Sequence, residues 1–328
     1  MLDKYFPLYA TVFIISLSIT IFAEKRLIPS LREFAKQPIY TEGPTWHMKK
    51  SGTPTMGGLA FIFASLGALL PALVFSFKLI SRESAISLAL AIAYAILNSA
   101  VGILDDLKKL KRRKNAGLTP MQKLIFQFLF AGAYLFLRHL LLPDTTMISF
   151  SFGEVELGLI YYPLTMLLLV GIVNFANLTD GIDGLASSVA FSIGISLFYI
   201  SVALSEEGAM LSALLMGISL GFLFFNLHPA KIFMGDTGSL FLGGLISAIA
   251  VGLKNPLILI FVCGAYVIEG ISVILQVFFF KLTGKRIFKM SPLHHHLEKC
   301  GWSENKICVA SMLSTLVFSV PVYVFYLP

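Results

Sequence analysis

Long apolar runs separated by short polar segments dominate the chain. Each run is about 20 residues long, which is the length an α-helix needs to cross a hydrocarbon core about 30 Å thick. The pattern predicts an all-α polytopic membrane protein with about ten transmembrane helices, the eighth being short. The predicted spans are Phe6–Ala23, Leu59–Phe77, Ala85–Leu104, Leu124–Leu142, Ile160–Leu178, Leu185–Leu204, Ala209–Leu227, Leu240–Leu253, Pro256–Phe280 and Ile307–Leu327.

A second pattern interrupts the helical one between the fourth and fifth spans. From Met147 to Leu157, apolar and polar residues alternate around Phe152 and Gly153. Period-two alternation around a glycine predicts a small β-hairpin, placed by its position on the outer face. No repeat of 20 to 50 residues and no low-complexity linker is evident, so the sequence predicts a single domain over residues 1–328.

Composition agrees with the span pattern. The chain has 57% hydrophobic residues, 13% charged residues and a mean hydropathy of +0.84, values that exclude an ordinary soluble globule. All but five of the 25 lysines and arginines follow odd-numbered spans, and positive residues mark cytoplasmic loops. The sequence therefore predicts odd-numbered loops in the cytoplasm and both termini outside. The five exceptions are Lys4, Lys78, Arg82, Arg138 and Lys254.

Aspartates mark the borders of several spans. Asp105 and Asp106 lie in GILDDLKK, Asp180 and Asp183 in NLTDGIDG, and Asp236 in FMGDTGS. Ionisable groups at membrane borders are costly and are often functional. These motifs all follow odd-numbered spans, as do KKSGTPTMGG and SPLHHHLE. The sequence thus predicts one shared site on the cytoplasmic face.

The convergence of five carboxylates would need compensating positive charge. Hard carboxylate oxygens near phosphates select Mg²⁺ or Mn²⁺, so a divalent ion is expected. Lys50, Lys109 and Lys123 are candidate phosphate partners. Each feature also has a plainer explanation: the aspartate pair or Asp236 as a helix cap, and the lysines as membrane-surface anchors. The chain contains no GxxxxGK[ST], which argues against a P-loop.

The stretch around NLTDGIDG adds polar groups beside the acids. Asp180 and Asp183 are three residues apart, so in a helix they would share one face, and Gly181 would let backbone approach a ligand. Asn174 and Asn177, one turn apart, would extend this polar face. Hydrogen bonds between helices inside a bundle are the alternative explanation for the two asparagines.

The histidine triplet His294–His296 is the remaining polar cluster. Consecutive residues in a helix point about 100° apart, so the three cannot ligate one ion, and a zinc site is disfavoured. The cluster suits sugar, phosphate or peptide contacts, and His294 is expected to share a face with Glu298. Gln276 lies near enough to the cytoplasmic end of its span to reach a ligand, whereas Glu269 is deeper and is interpreted as structural.

Together these motifs resemble the polyprenyl-phosphate N-acetylhexosamine-1-phosphate transferase family over nearly the whole chain. KKSGTPTMGG with PLHHHLE favours its phospho-N-acetylmuramoyl-pentapeptide transferase branch over the sister branch that transfers GlcNAc-1-phosphate. Minor departures are Leu107, Phe175, Ile182 and Leu297. The resemblance implies transfer of phospho-MurNAc-pentapeptide from UDP-MurNAc-pentapeptide to undecaprenyl phosphate, giving lipid I and UMP with Mg²⁺. It also implies the bacterial inner membrane, a homodimer and no nucleic-acid partner.

The resemblance also implies residue roles. Asp105, Asp106, Asp236 and His294 would be catalytic, and Asp236 with Asp105 would hold the metal. Asp105 would deprotonate or orient the acceptor phosphate, although a two-step route through an aspartyl intermediate is the alternative. The implied substrate-binding residues are Lys50, Thr55, Lys109, Lys123, Asn174, Asn177, Asp180, Gly181, Ile182, Asp183, Asn226, Phe233, Gln276, His295 and His296.

A transporter is the competing class, because transporters also carry intramembrane acids and glycines at helix ends. Their ionisable groups lie near the bilayer midplane, however, and their sequences show repeat symmetry. The acids of this chain lie at span borders on one predicted face, and its sequence shows no repeat. The pattern therefore favours an enzyme.

Overall fold

The computed structural model describes residues 2–35, 50, 52–79, 81–112, 117–143 and 146–326. Helices dominate these residues, and a small two-stranded sheet accompanies them. The elements are α1 (Leu2–Phe34), α2 (Leu59–Leu79), α3 (Arg82–Arg112), α4 (Pro120–Leu141), β1 (Met147–Phe150), β2 (Gly153–Glu156), α5 (Tyr161–Thr179), α6 (Leu185–Leu204), α7 (Glu206–Asn226), α8 (Gly235–Gly252), α9 (Ile258–Val262), α10 (Gly264–Thr283), α11 (Leu293–Glu298) and α12 (Glu304–Phe325).

Nine helices in the described part of the chain are long and apolar enough to cross a membrane. They are α1, α3 to α8, α10 and α12, while the described apolar stretch of α2 is the shorter Leu59–Ala68. The predicted class, an all-α polytopic membrane protein, is confirmed. Lys49 and Ser51 of KKSGTPTMGG, and Arg113 and Lys114 in the basic segment after GILDDLKK, lie outside the described residues.

Three predicted spans differ clearly from the observed helices. The first was predicted over Phe6–Ala23, but α1 spans Leu2–Phe34. The third was predicted to end at Leu104, but α3 continues to Arg112, because no proline or glycine interrupts it there. Asp105 and Asp106 therefore lie on a helix and not in a loop. The ninth was predicted as one unit, but the chain breaks at Cys263 between α9 and α10.

The break at Cys263 coincides with close packing against α12. A side chain at Gly264 would collide with the ring of Phe318. The short α9 and the longer α10 thus meet where a glycine allows α12 to approach. A continuous apolar run carries no sign of such a bend, since hydrophobicity alone does not record backbone direction.

The predicted β-hairpin is confirmed. β1 and β2 pair antiparallel, with Met147 opposite Glu156 and Phe150 opposite Gly153. The Ser151 amide donates a 2.7 Å hydrogen bond to the Phe325 carbonyl, which ties the hairpin turn to the last residue of α12. The hairpin therefore marks one end of the helix bundle, called the hairpin end below.

Helix α8 forms the centre of the bundle, where it packs against α3 and α5. Small residues allow this close approach. A side chain at Gly243 would press on the backbone of Val173 in α5, and one at Gly244 would meet Ala95 in α3. Interfaces of this kind are typical of membrane helix bundles, where packing of small residues lets backbones come together.

The polar motifs collect at the opposite end of the bundle, called the site end below. The last turns of α3, α5 and α7 and the first turns of α4, α6, α8 and α12 meet there. Thr119 begins α4 with a capping box to Gln122, Pro120 occupies its first position, and Ser303 caps α12. The capping residues of α4 and α12 therefore lie at the same end of the bundle as the polar motifs.

Candidate active site

Two aspartates and two lysines form an ion-pair cluster at the site end. Lys109 contacts Asp105 Oδ2 at 2.7 Å and Asp236 Oδ1 at 3.1 Å. Lys123 contacts Asp105 Oδ1 at 3.1 Å and also pairs with Asp236 Oδ2. Each lysine thus bridges the same two carboxylates, one from α3 and one from α8. Side chains from α3, α4 and α8 form this cluster, which is called the Asp236 cluster below.

Asp105 is held firmly within this cluster. Its Oδ1 accepts a 2.7 Å hydrogen bond from the Leu118 amide, and its side chain is almost fully buried. A side chain at Gly117 would collide with the Asp105 carboxylate, so the glycine allows the segment before α4 to approach. The carboxylate is consequently fixed by backbone as well as by lysine.

Asp106 faces the start of α8. Its Oδ1 accepts from the Asp236 amide at 3.2 Å, and its Oδ2 accepts from the Thr237 amide at 2.9 Å and the Thr237 hydroxyl at 2.7 Å. The N-terminal amides of a helix form a natural anion site. The Asp106 carboxylate of α3 therefore satisfies the first amides of α8.

A divalent cation fits the donor atoms of this cluster. Oxygens of Asp105, Asp106 and Asp236 lie within 4.8 Å of one another. Carboxylate oxygens are the ligands that Mg²⁺ and Mn²⁺ prefer. Because Asp106 is committed to α8, Asp105 and Asp236 are the better-suited pair, and the two ammonium groups now neutralise them.

A second group of charged residues includes Lys50 of KKSGTPTMGG. Lys50 lies 2.7 Å from Asp183 Oδ1 and 2.7 Å from Glu304 Oε2. His228 Nδ1 lies 3.0 Å from Asp183 Oδ2 and 3.3 Å from Glu304 Oε1. Asp183 also accepts from the Ala230 amide at 3.0 Å. These residues, called the Lys50 cluster below, join the loop after α7, the turn after α5 and the start of α12.

The Asp180 carboxyl group is affected by charged residues of both clusters. Burial, followed by repulsion from Asp236, Asp106 and Asp183, raises the pKa of Asp180 to about 8. The predicted shared helix face of Asp180 and Asp183 is wrong, because α5 ends at Thr179 and the next residues form a turn. Gly184, with a left-handed φ of 80°, closes this turn and is the N-cap of α6.

Comparison with known proteins identifies the family. The model of Glycosyl transferase family 4 matches residues 86–254, and phospho-N-acetylmuramoyl-pentapeptide-transferase signature 1 matches residues 50–62. A phospho-N-acetylmuramoyl-pentapeptide-transferase of Halalkalibacterium halodurans is 45% identical over 94% of both chains. One of Clostridium perfringens (strain SM101 / Type A) is 44% identical over 89% of this chain and 88% of its own. The chain belongs to the phospho-N-acetylmuramoyl-pentapeptide-transferase family.

The family signature covers a segment that the structure places against the start of α8. The Thr55 amide donates to the Ala35 carbonyl, and the Gly57 and Gly58 amides donate to the carbonyls of Phe233 and Met234. A side chain at Gly58 would collide with the backbone of Gly238. The signature glycines therefore bring the segment after Lys50 onto α8, as close backbone approach requires.

Several predicted substrate contacts are occupied by protein partners. Asn174 donates to Gln127 of α4 at 2.7 Å, and Asn177 donates to Ser239 of α8 at 2.8 Å. Asn226 Oδ1 accepts from the Gly184 amide at 3.0 Å, while its Nδ2 donates to the Ile232 carbonyl at 2.9 Å. These amides hold elements of the site together.

Of the other predicted substrate-binding residues, Gly181 and Ile182 lie in the turn after α5, and Phe233 lies in the loop before α8. Ile182 is buried in the core, and Phe233 is half-buried. The Phe233 amide donates to the Pro54 carbonyl at 2.9 Å, so the loop before α8 pairs with the signature segment. Gly181 packs against the imidazole of His294, with which any side chain at this position would collide.

The histidine triplet differs from the sequence expectation. His294 was expected to share a face with Glu298, but its Nδ1 lies 3.1 Å from Glu269 Oε2. His295 pairs with Glu298 instead, at 2.7 Å. The short α11 spans Leu293–Glu298 and packs against α10, which carries Glu269.

Gln276 and His296 hold the segment between α10 and α11. Gln276 Oε1 accepts from the amides of Ile287 and Phe288, at 3.2 and 2.9 Å. His296 Nδ1 accepts from the Lys289 amide at 3.1 Å, and its ring packs edge-on against Phe288. Both predicted ligand contacts thus brace a protein loop.

Sequence reasoning missed three residues of this site. Glu269 was interpreted as structural, yet both of its oxygens accept from the His294 amide and Oε2 faces the His294 ring. His228 and Glu304 were not singled out, although both belong to the Lys50 cluster. His228 lies two residues after the end of α7 and begins HPAKIFMGD, a signal that could have suggested it. Glu304 gives no such signal, because acids are common in first helical turns.

Proposed function

We propose that this protein transfers phospho-MurNAc-pentapeptide from UDP-MurNAc-pentapeptide to undecaprenyl phosphate, producing lipid I and UMP in peptidoglycan synthesis. The named relatives and the family signature support this activity. The observation that carries it is the Asp236 cluster, in which two lysines bridge two carboxylates at one end of a membrane bundle. A lipid phosphate and a water-soluble nucleotide can meet only at such a border.

The chemistry is phosphoryl transfer between two anions. An oxygen of the lipid phosphate forms a bond to the β-phosphorus of the donor, and the bond from that phosphorus to the bridging oxygen breaks. The bridging oxygen leaves with UMP. Because negative charge crowds both reactants, catalysis rests on positioning and charge neutralisation. Lys109 and Lys123 are proposed to release their carboxylate partners in part and bind phosphate oxygens.

Asp105 and Asp236 are proposed to hold Mg²⁺, with Mn²⁺ as a substitute. When bound, the ion would neutralise charge on the donor pyrophosphate. Asp105 is further proposed to orient or deprotonate the acceptor phosphate. Asp106 keeps its place at the start of α8 and fixes the backbone of Asp236. In this assignment Asp106 supports the catalytic aspartate through its amide contact.

The donor is proposed to extend from the Asp236 cluster toward the Lys50 cluster. Uridine would lie beside the turn that contains Gly181, Ile182 and Asp183, with Phe233 as a stacking face. Asn226 would hold this turn in place by accepting a hydrogen bond from the Gly184 amide. Lys50, Thr55, Asn174, Asn177 and Asp180 would line the approach of the phosphates and sugar. His294, with His295, His296 and Gln276, would border the sugar-peptide end.

The orientation and assembly are also proposals. The distribution of lysine and arginine supports a cytoplasmic site end in the bacterial inner membrane, with both termini outside. Residues 1–328 would act as one transferase domain, and two copies would form a homodimer. Cysteine labelling of sealed right-side-out vesicles would test the orientation. A cytoplasmic site end is protected from a reagent that cannot cross the membrane, whereas a site end on the outer face is labelled.

A comparison of donors tests the proposed activity. Purified protein in detergent with undecaprenyl phosphate and Mg²⁺ should release UMP from UDP-MurNAc-pentapeptide and leave UDP-GlcNAc unchanged. The reverse preference would assign the chain to the GlcNAc-1-phosphate reaction. Failure to consume either donor would refute the proposed function.

A further inference from the structure

Glu304 lies in the first turn of α12 and has no part in the chemistry proposed above. Ser303 already caps the helix, because its side chain accepts from the Lys306 amide. An acid in the first turn is by itself ordinary, since it interacts favourably with the helix dipole. The side chain of Glu304 instead makes three contacts with distant parts of the chain.

Those three contacts converge on the Lys50 cluster. Glu304 Oε2 accepts from Lys50 Nζ at 2.7 Å and from the Asp183 amide at 2.7 Å. Its Oε1 lies 3.3 Å from His228 Nδ1. One carboxylate therefore fixes both the lysine and the turn that carries Asp183. The side chain of Asp183 is almost fully buried and that of Glu304 is largely buried, so water competes weakly for these bonds.

Two of the three N–H groups of Lys50 have carboxylate partners within the described part of the chain. A lysine ammonium has three N–H groups and no acceptor. Among the described residues, the ion-pair partners of Lys50 are Asp183 and Glu304, at 2.7 Å each. Two fixed carboxylates restrict the rotation of the ammonium, so the third N–H points in a defined direction. A flexible four-carbon side chain would otherwise sample many directions.

A cavity of about 370 Å³ opens beside this cluster. His228, Trp302 and Glu304 are among the residues that line it. The cavity places open space next to the same carboxylate that holds Lys50. Glu304 is thus the residue through which this cavity adjoins Lys50.

We propose that Glu304 is a positioning residue for the transfer reaction, which holds Lys50 so that its remaining N–H binds a phosphate oxygen of the nucleotide donor. The proposal rests on the proposed function. Glu304 acts through Lys50 and touches no reacting atom. It thus tunes donor binding and leaves acceptor binding and the chemical step to the Asp236 cluster.

The test measures initial rates with both substrates varied. Glu304→Gln keeps the volume and one acceptor oxygen but removes the charge. We expect the donor KM to rise about tenfold, while the acceptor KM is unchanged and kcat stays within about threefold. Glu33→Gln is the matched control, because Glu33 is an exposed carboxylate near the end of α1. Unchanged donor KM in Glu304→Gln overturns the proposal.

A double-mutant cycle tests whether Glu304 acts through Lys50. If it does, Glu304→Gln should raise the donor KM less in the Lys50→Ala background than in wild type, since the lysine it positions is already absent and only its contact with the Asp183 turn remains. Multiplicative effects on donor KM would contradict the proposal. Should Glu304→Gln fail to fold, Glu304→Asp replaces it. The shorter side chain keeps the charge but moves it away from Lys50, and a donor KM equal to wild type would again contradict the proposal.

Different results refute the proposed function and the positioning role of Glu304. Wild-type protein that consumes neither donor refutes the proposed function. Wild-type protein that transfers normally, with Glu304 variants that bind donor as tightly as wild type, refutes only the positioning role. Equilibrium binding of the UDP donor without acceptor gives the same comparison without turnover, and we expect the same loss there.

Discussion

Replacing Asp106 separates its two possible roles, helix cap and metal ligand. Asp106→Ala removes three hydrogen bonds to a carboxylate, from the amides of Asp236 and Thr237 and from the Thr237 hydroxyl. Loss of a helix cap costs about 1 kcal/mol, and hydrogen bonds to charged groups contribute about 1.5–3 kcal/mol each. Relief of repulsion among the neighbouring aspartates offsets part of this loss. We expect a net destabilisation of about 2–4 kcal/mol for the alanine variant.

Asp106→Asn should be milder because its amide oxygen can still accept one of these bonds. We expect it to lose about 1–2 kcal/mol of stability and to keep the Mg²⁺ concentration that half-saturates UMP release. Thermal unfolding in detergent measures the first quantity, and a Mg²⁺ titration of initial rate measures the second. Asp105→Asn is the comparison, since it should weaken the Mg²⁺ dependence. An Asp106→Asn protein with wild-type stability and lost Mg²⁺ dependence would refute the capping role.

Three further substitutions test other contacts. Gly181→Ala should abolish donor binding, because the new methyl collides with the His294 ring; wild-type donor affinity by calorimetry would contradict this contact. Asn226→Ala should lower the free energy of unfolding by about 2–3 kcal/mol through loss of its two backbone hydrogen bonds, and a thermal midpoint equal to wild type would disprove that role. Lys123→Gln should tighten Mg²⁺ binding severalfold in donor-free protein, since a competing ammonium leaves the Asp236 cluster; weaker binding would count against the metal site.

The sequence predicted the membrane architecture because each span is a simple consequence of hydrophobic length. The hairpin between α4 and α5 was also predictable, since its alternation around Gly153 is local. The break at Cys263 was not predictable, because both sides of it are apolar. It coincides with the packing of Gly264 against Phe318 of α12, a contact between distant residues.

The site was predicted by residue type more successfully than by geometry. The motif lysines and aspartates do meet at one end of the bundle, but in two clusters, and Asp183 is in the second. The helix period assigned Asp180 and Asp183 to one face, although a glycine-rich turn holds both. Local spacing cannot reveal that turn, because tertiary contacts to Asn226 and Glu304 stabilise it.

Partners of motif residues were the hardest to foresee. Glu269 and Glu304 lie in helices where an acid has ordinary explanations, at some distance in sequence from His294 and Lys50. Only the folded chain brings them together. Similarly, Asp106 is adjacent to Asp105 in sequence, yet the two carboxylates contact different groups because neighbours on a helix point about 100° apart.

The central claim is that the Asp236 cluster performs the transfer. Its most direct test is UMP release by Asp236→Asn with UDP-MurNAc-pentapeptide, undecaprenyl phosphate and Mg²⁺, alongside a thermal unfolding measurement. We predict that release falls to background while the protein remains folded, because a carboxylate bridged by Lys109 and Lys123 is lost. Wild-type turnover by the folded variant would contradict the account.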